Sequence, residues 1–241
     1  MQATPAPDLV RTPEGTAVRT GDGRWFRLNG EPAPEQITAQ IHHLHDRRAT
    51  WADCGPRHLH LHTPGHATHP LLDRIADTLR RHQIDITLGE PPTRPADALV
   101  VLDHDHTRRA TRPLTAAHAN THIYREGDLW FVDPLHVAPD DPTASQVTRR
   151  RLAASQAPRE QLTWWQQHDP GDDLDHLDES TTWRIVHRIV DILHAEWTGP
   201  GTRPAHRRTL WRHDHITGTT STHPVLGFPE PAPLPPRAPS T

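Results

Sequence analysis

Histidine, an acid, a base and a metal ligand near neutral pH, occupies 22 of 241 positions in this chain. His58, His60 and His62 alternate, so on a strand they share one face, and His66 and His69 follow closely enough to complete a metal site after a turn. The pairs His104/His106 and His213/His215 alternate in the same way. Imidazole is a good zinc ligand, and Asp103, Asp105 or Asp214 beside these pairs can ligate or orient a ligand. None of the groups has the HExxH spacing of a zinc enzyme, and a chain so rich in histidine produces alternating pairs by composition. No metal is assigned.

Asp103-His104-Asp105-His106 follows the most apolar run of the chain, and loops at the carboxyl ends of strands in open sheets form binding crevices. Carboxylate and imidazole there suit acid–base work. No activated nucleophile accompanies them, because Ser145, Ser155, Ser180, Ser221 and Ser240 lack an elbow or triad setting. No catalytic residue is assigned. A nucleotide site is equally poorly supported: His58 to Gly65 holds one glycine where a phosphate-binding turn uses several, and Pro64 removes an N–H. The expectation is a protein with no cofactor.

Peptide binding is a different chemistry, and the N-terminal residues suit it. Trp25 and Arg27 fall on one side of a strand with a two-residue period, offering apolar area and a carboxylate-binding guanidinium. Arg19, Trp25, Arg27, Ile37 and Ile41 are the candidate peptide-binding residues. The competing interpretation is that Trp25 and Ile41 close a very small core.

Composition removes whole classes. All 26 basic residues are arginine, so a pyridoxal Schiff base, a lysine nucleophile and the usual glycine-lysine phosphate loop are excluded. One cysteine, Cys54, excludes intrachain disulfides and cysteine zinc ribbons. A net charge of −4 gives no positive field for nucleic acid. The one dense basic patch, Arg149-Arg150-Arg151, is expected on an exposed turn or helix face. No run is long enough to cross a membrane, and MQATPAPDLV lacks the features of a secretory signal, so no membrane association and a cytoplasmic location are expected.

The elements that must position these residues divide the chain into a small unit over 8–56, an α/β region over 57–228 and a tail over 229–241 with six prolines. In the first, strands at Thr16–Val18 and Trp25–Leu28 flank the Gly21-Asp22-Gly23 turn, and a helix over Glu35–Asp46 carries Ile37 and Ile41. In the second, His58–Leu61, Ile84–Leu88 and Ala98–Leu102 are strands, with a helix over His69–Arg81 between the first two. A helix over Thr107–Ala117, strands at His122–Tyr124 and Leu129–Val132, and a helix over Val147–Ala154 follow. Thr181 or Thr182 caps a helix over Trp183–Glu196. The fold class is α/β.

This order, with particular phrases, resembles a known family. Leu9 to Leu28 resembles the start of a precursor-recognition region, Arg57 to Leu102 the first part of a sheet, Phe131 to Pro139 a strand followed by a Gly-Pro-Leu-like segment, and His223-Pro224-Val225-Leu226-Gly227 a terminal His-Pro-x-Cys-x-Cys element. The family is that of E1-like, ThiF-type proteins associated with azoline-forming cyclodehydratases in ribosomal peptide natural-product pathways. The resemblance implies a partial ThiF-like open sheet behind a small N-terminal hairpin-plus-helix unit. Zinc-coordinating members carry cysteine pairs where this chain has Pro142-Thr143-Ala144-Ser145 and Val225-Leu226-Gly227, so a zinc ribbon is not carried over. The implied role is non-catalytic: binding a precursor or leader peptide and presenting it to a separate modifying enzyme, with a homo-oligomer as a further partner class. The alternatives are a small metal-dependent or acid–base enzyme using a His/Asp cluster, and an interaction protein of another kind.

Overall fold

The computed structural model describes residues 8–12, 15–19, 25–28, 51–65, 69–89, 95–111, 117–167, 177–198 and 205–228. The chain separates into two compact units, residues 1–50 and 51–241.

The first unit contains a three-stranded antiparallel sheet, β1 (Asp8–Thr12), β2 (Gly15–Arg19) and β3 (Trp25–Leu28), in the order β1-β2-β3. The sequence indicates β2 and β3. It does not indicate β1, whose five residues have too little hydrophobic alternation to stand out and gain their partner only by pairing from Asp8↔Arg19 to Thr12↔Gly15. The helix expected over Glu35–Asp46, with Ile37 and Ile41, lies outside the described residues, as does the 229–241 tail.

The second unit is built on a seven-stranded sheet. Its strands are β4 (His58–His62), β5 (Asp85–Leu88), β6 (Ala96–Leu102), β7 (Ala117–Glu126), β8 (Leu129–Val132), β9 (Thr209–Asp214) and β10 (Thr220–Pro224). They lie in the order β10-β9-β8-β7-β6-β4-β5. β5, β4, β6 and β7 pair in parallel and the remaining pairs are antiparallel. The apolar run Ala98–Leu102 is therefore internal, as its lack of polar interruption predicts, and all five residues are buried.

Helices cover both faces. On one, α1 (Pro70–Arg80) and the helix Glu179–Thr198, α5 below, pack Leu71, Leu72, Ile75 and Leu79 with Ile185, Ile189 and Leu193 against Leu59, Leu61, Val100 and Ile123. On the other lie α2 (His106–Thr111), α3 (Ala144–Ala154) and α4 (Pro158–Gln167), with Val147 beside Tyr124 and Phe131. α5 is Glu179–Thr198. Among the described residues no helix is long and apolar enough to cross a membrane.

Several local expectations are corrected. α2 spans His106–Thr111, and Ala117, expected in that helix, opens β7. α4 escapes sequence reading because its apolar positions are few. Thr181 and Thr182 do not cap α5. They sit in its first turn, and the Asp178 carboxylate accepts the Thr181 N–H at 2.9 Å. β9 and β10 are short and rich in Thr, His and Arg, without an apolar period to announce them.

Candidate functional site

Among the described residues the candidate places are two: the β3 end of the sheet in the first unit and the cavity at the start of α1 and α5 in the second.

β3 ends its sheet and pairs with β2 alone among the described residues. Its register sets Trp25 opposite Arg19 and Arg27 opposite Ala17. Directly opposed residues of an antiparallel pair belong to one face, so positions 17, 19, 25 and 27 fall on the same side and positions 18, 26 and 28 on the other. Three of the five candidate residues, Arg19, Trp25 and Arg27, thus share one side of the sheet. Ile37 and Ile41 lie outside the described residues.

The Asp103–His106 loop occupies the expected crevice position, but its groups are committed to the fold. Asp103 accepts Arg108 Nε at 3.0 Å and Nη2 at 2.7 Å, and also the Asp105 N–H at 3.0 Å. His104 Nδ1 accepts the Arg125 N–H at 3.0 Å. His106 stacks on Trp165 with centroids 5.3 Å apart. These contacts build a strand-to-helix junction.

The alternating histidines of β4 form a ladder along one face, with His60 and His62 buried and His58 half-buried. Thr87 Oγ1 on β5 is shared by His58 Nε2 at 2.9 Å and His60 Nδ1 at 2.7 Å, and His62 Nδ1 donates to the Gly89 carbonyl at 2.7 Å. Among the described residues no three His, Cys, Asp or Glu side chains converge as a metal site.

A buried charged network missed by sequence reading lies between β7–β8 and helices α2 to α4. Arg109 on α2 donates to Asp133 Oδ2 at 2.8 Å, and the Tyr124 hydroxyl donates to Oδ1 at 3.0 Å. Arg151 on α3 pairs with both oxygens of Glu126, whose Oε1 also accepts the Trp165 N–H at 2.9 Å. Arg151 therefore points inward, against the expectation of an exposed patch, while Arg149 and Arg150 are exposed. Its planar guanidinium is also 4.0 Å from the Phe131 ring centroid, a contact available only under the helix. Burial pushes the Asp133 carboxyl up, with Arg109 and the Tyr124 hydroxyl opposing it. Burial, reinforced by Arg109, depresses His122 to about 3. The only sequence signal for this network is Asp133 directly after the apolar Leu129–Val132 strand.

Residues 140–146 and 227–228 lie against each other. Gln146 Nε2 donates to the Phe228 carbonyl at 2.5 Å, and Gly227 lies so close to the Asp140 carbonyl that a Cβ there would approach it to 2.5 Å. Asp141 Oδ2 accepts the Val137 and Ala138 N–H groups at 3.1 and 2.8 Å. The side-chain amide and the close backbone contact join the segments, while the Asp141 carboxylate closes its own turn.

The cavity at the start of α1 and α5 has a volume of about 460 Å³. Pro70, Leu71 and Leu177 supply apolar wall, and Arg74, Glu179 and Trp183 supply a cation, a carboxylate and an indole. His69, whose Nδ1 accepts the Leu71 N–H at 3.1 Å, and Thr182 complete the lining.

With a parallel β4–β7 core continued by antiparallel strands, the second unit has an α/β ThiF-like fold. No family model and no curated protein sequence matches the chain. Among solved structures it is similar to a heterocyclase in complex with substrate and cofactor, with a TM-score of 0.52 and 14% identity over 92% of this chain and 37% of that one. The heterocyclase TruD gives 0.52 and 13%, over 94% and 41% of the two chains. Escherichia coli MccB, solved with AMPCPP and MccA, gives 0.54 and 7%, over 92% and 96%. The chain spans about two-fifths of the length of these heterocyclases. Likeness at such identity establishes the fold.

Proposed function

We propose that this chain acts in peptide natural-product biosynthesis as a non-catalytic partner that binds a precursor peptide and presents it to a separate modifying enzyme. The observation that carries the reading is the β3 edge, which pairs with β2 alone among the described residues, with Arg19, Trp25 and Arg27 on one side of its sheet. An extended peptide added to such an edge gains main-chain hydrogen bonds, while neighbouring side chains give selectivity. The shared fold with heterocyclases supports the pathway class, since one of them was solved with its substrate. The internal commitment of Asp103 and His104 supports a role without chemistry of its own.

The test is a titration of the labelled leader of a precursor encoded beside this gene against the full chain and against W25A and R27E. Saturable binding is expected, weakened in both variants with their secondary structure retained, and R27E is expected to lose most against an acidic leader at low salt. Unchanged affinity in both folded variants removes this surface as the peptide site.

A further inference from the structure

The geometry points to a second binding site, in the cavity between α1 and α5, for a zwitterionic ligand: a free amino acid or a short peptide end bearing an apolar side chain. This goes beyond the peptide-presentation reading and depends on different residues in a different unit.

Three features select that ligand class. The cavity, about 460 Å³, falls in the range of small-molecule sites. Arg74 and Glu179 both line it, and neither has an ion-pair or side-chain hydrogen-bond partner among the described residues. They come from different helices, Arg74 from the second turn of α1 and Glu179 from the first residue of α5, so the packing of those helices holds the two charges apart. The third feature lies alongside them. Trp183 is 37% exposed, one turn from Glu179, and lines the same cavity as Pro70, Leu71 and Leu177. A ligand carboxylate on Arg74, an ammonium on Glu179 and an aliphatic side chain on the indole would satisfy all three at once. A purely anionic ligand would meet Glu179, and a purely cationic one would meet Arg74.

The experiment is calorimetry on the full chain with four probes: L-leucine, the dipeptide Leu-Leu, N-acetyl-leucine and leucinamide. Saturable binding of L-leucine or Leu-Leu is expected, and the tighter of the two identifies the amino acid or the peptide end as the source. Blocking either charge should weaken binding roughly tenfold, the size of one charged hydrogen bond. R74A should equalise L-leucine and leucinamide, and E179Q should equalise L-leucine and N-acetyl-leucine. Both positions are exposed, and circular dichroism checks that both variants fold. The proposal fails if no zwitterion saturates by about 10 mM, if the blocked probes bind as well as L-leucine, or if neither substitution changes the ranking. Absence of leader binding to the parent chain, or leader affinity unchanged in W25A and R27E, with leucine binding intact, would sink the peptide-presentation reading alone.

Discussion

Arg109 and Asp133 form an ion pair of 2.8 Å in which neither side chain meets solvent. The pair joins α2 to the end of β8, and the guanidinium also lies 3.8 Å from the Tyr124 ring centroid. Helices α2 to α4 contribute few apolar side chains to this face, so charge pairing and ring stacking fasten them where oil-like packing secures the opposite face.

Removing one partner is therefore expected to cost more than the pair is worth. R109M leaves the Asp133 carboxyl buried without its cation, and unfolding in urea should show a loss of about 3–5 kcal/mol. The double variant R109M/D133L should recover much of that loss. A single variant as stable as the parent would show that the network does not hold α2.

Acid stability should fall in two windows. His122, held near 3 by burial and Arg109, is neutral in the folded chain, whereas an unfolded histidine takes a proton near 6.5. Its contribution is complete above about 6.5 and is lost as pH falls toward 3. Burial raises Glu196, but hydrogen bonds from His206 and Arg207 outweigh it and bring the carboxyl to about 2. That contribution is complete above 4.5 and is lost as pH falls toward 2. Melting curves of H122N and E196Q against the parent should each flatten only their own window.

Val100 is fully buried on the interior strand β6, within the main apolar cluster. Val100→Asp places a carboxylate in an apolar site without a cation, and a loss of several kcal/mol, on the order expected for an unpaired buried polar group, is predicted in denaturant titration. Retained stability would move this strand out of the core.

At Gly227 the steric margin is absent. Gly227→Ala brings a methyl to 2.5 Å from the Asp140 carbonyl, so residues 225–228 must shift. Faster amide exchange at Val225, whose N–H donates to the Arg208 carbonyl at 2.8 Å, should report the loosening.

What was legible in the sequence follows from the kind of force involved. β4, β6, α1 and α5 bury continuous or periodic apolar residues, and such patterns survive in one dimension. Ala98–Leu102 and the Leu71, Leu72, Ile75, Leu79 face could be placed from spacing alone. α4, β9 and β10 depend on partners far away in the chain, as when Trp165 meets Glu126 or Val225 meets Arg208, and no local period records that. The candidate sites divide in the same way. Trp25 and Arg27 announce themselves by alternation, whereas Arg74 and Trp183 become neighbours of one cavity only when α1 and α5 pack.

The terminal strand β10 bears on how the molecule behaves when crowded. Asp214 N–H donates to the Thr219 carbonyl at 2.9 Å, and Val225 N–H to that of Arg208, so the odd-numbered residues from 219 to 225 turn their amides inward. Thr220, Thr222 and Pro224 turn outward, and a proline nitrogen can donate nothing. Two copies meeting by this edge in antiparallel fashion about Thr222 would set each Pro224 against a Thr220 carbonyl and lose a bond at both ends. The strand thus interrupts the template on which fibrils grow, and it does so with an imino acid in a chain that has no lysine to serve as an edge gatekeeper.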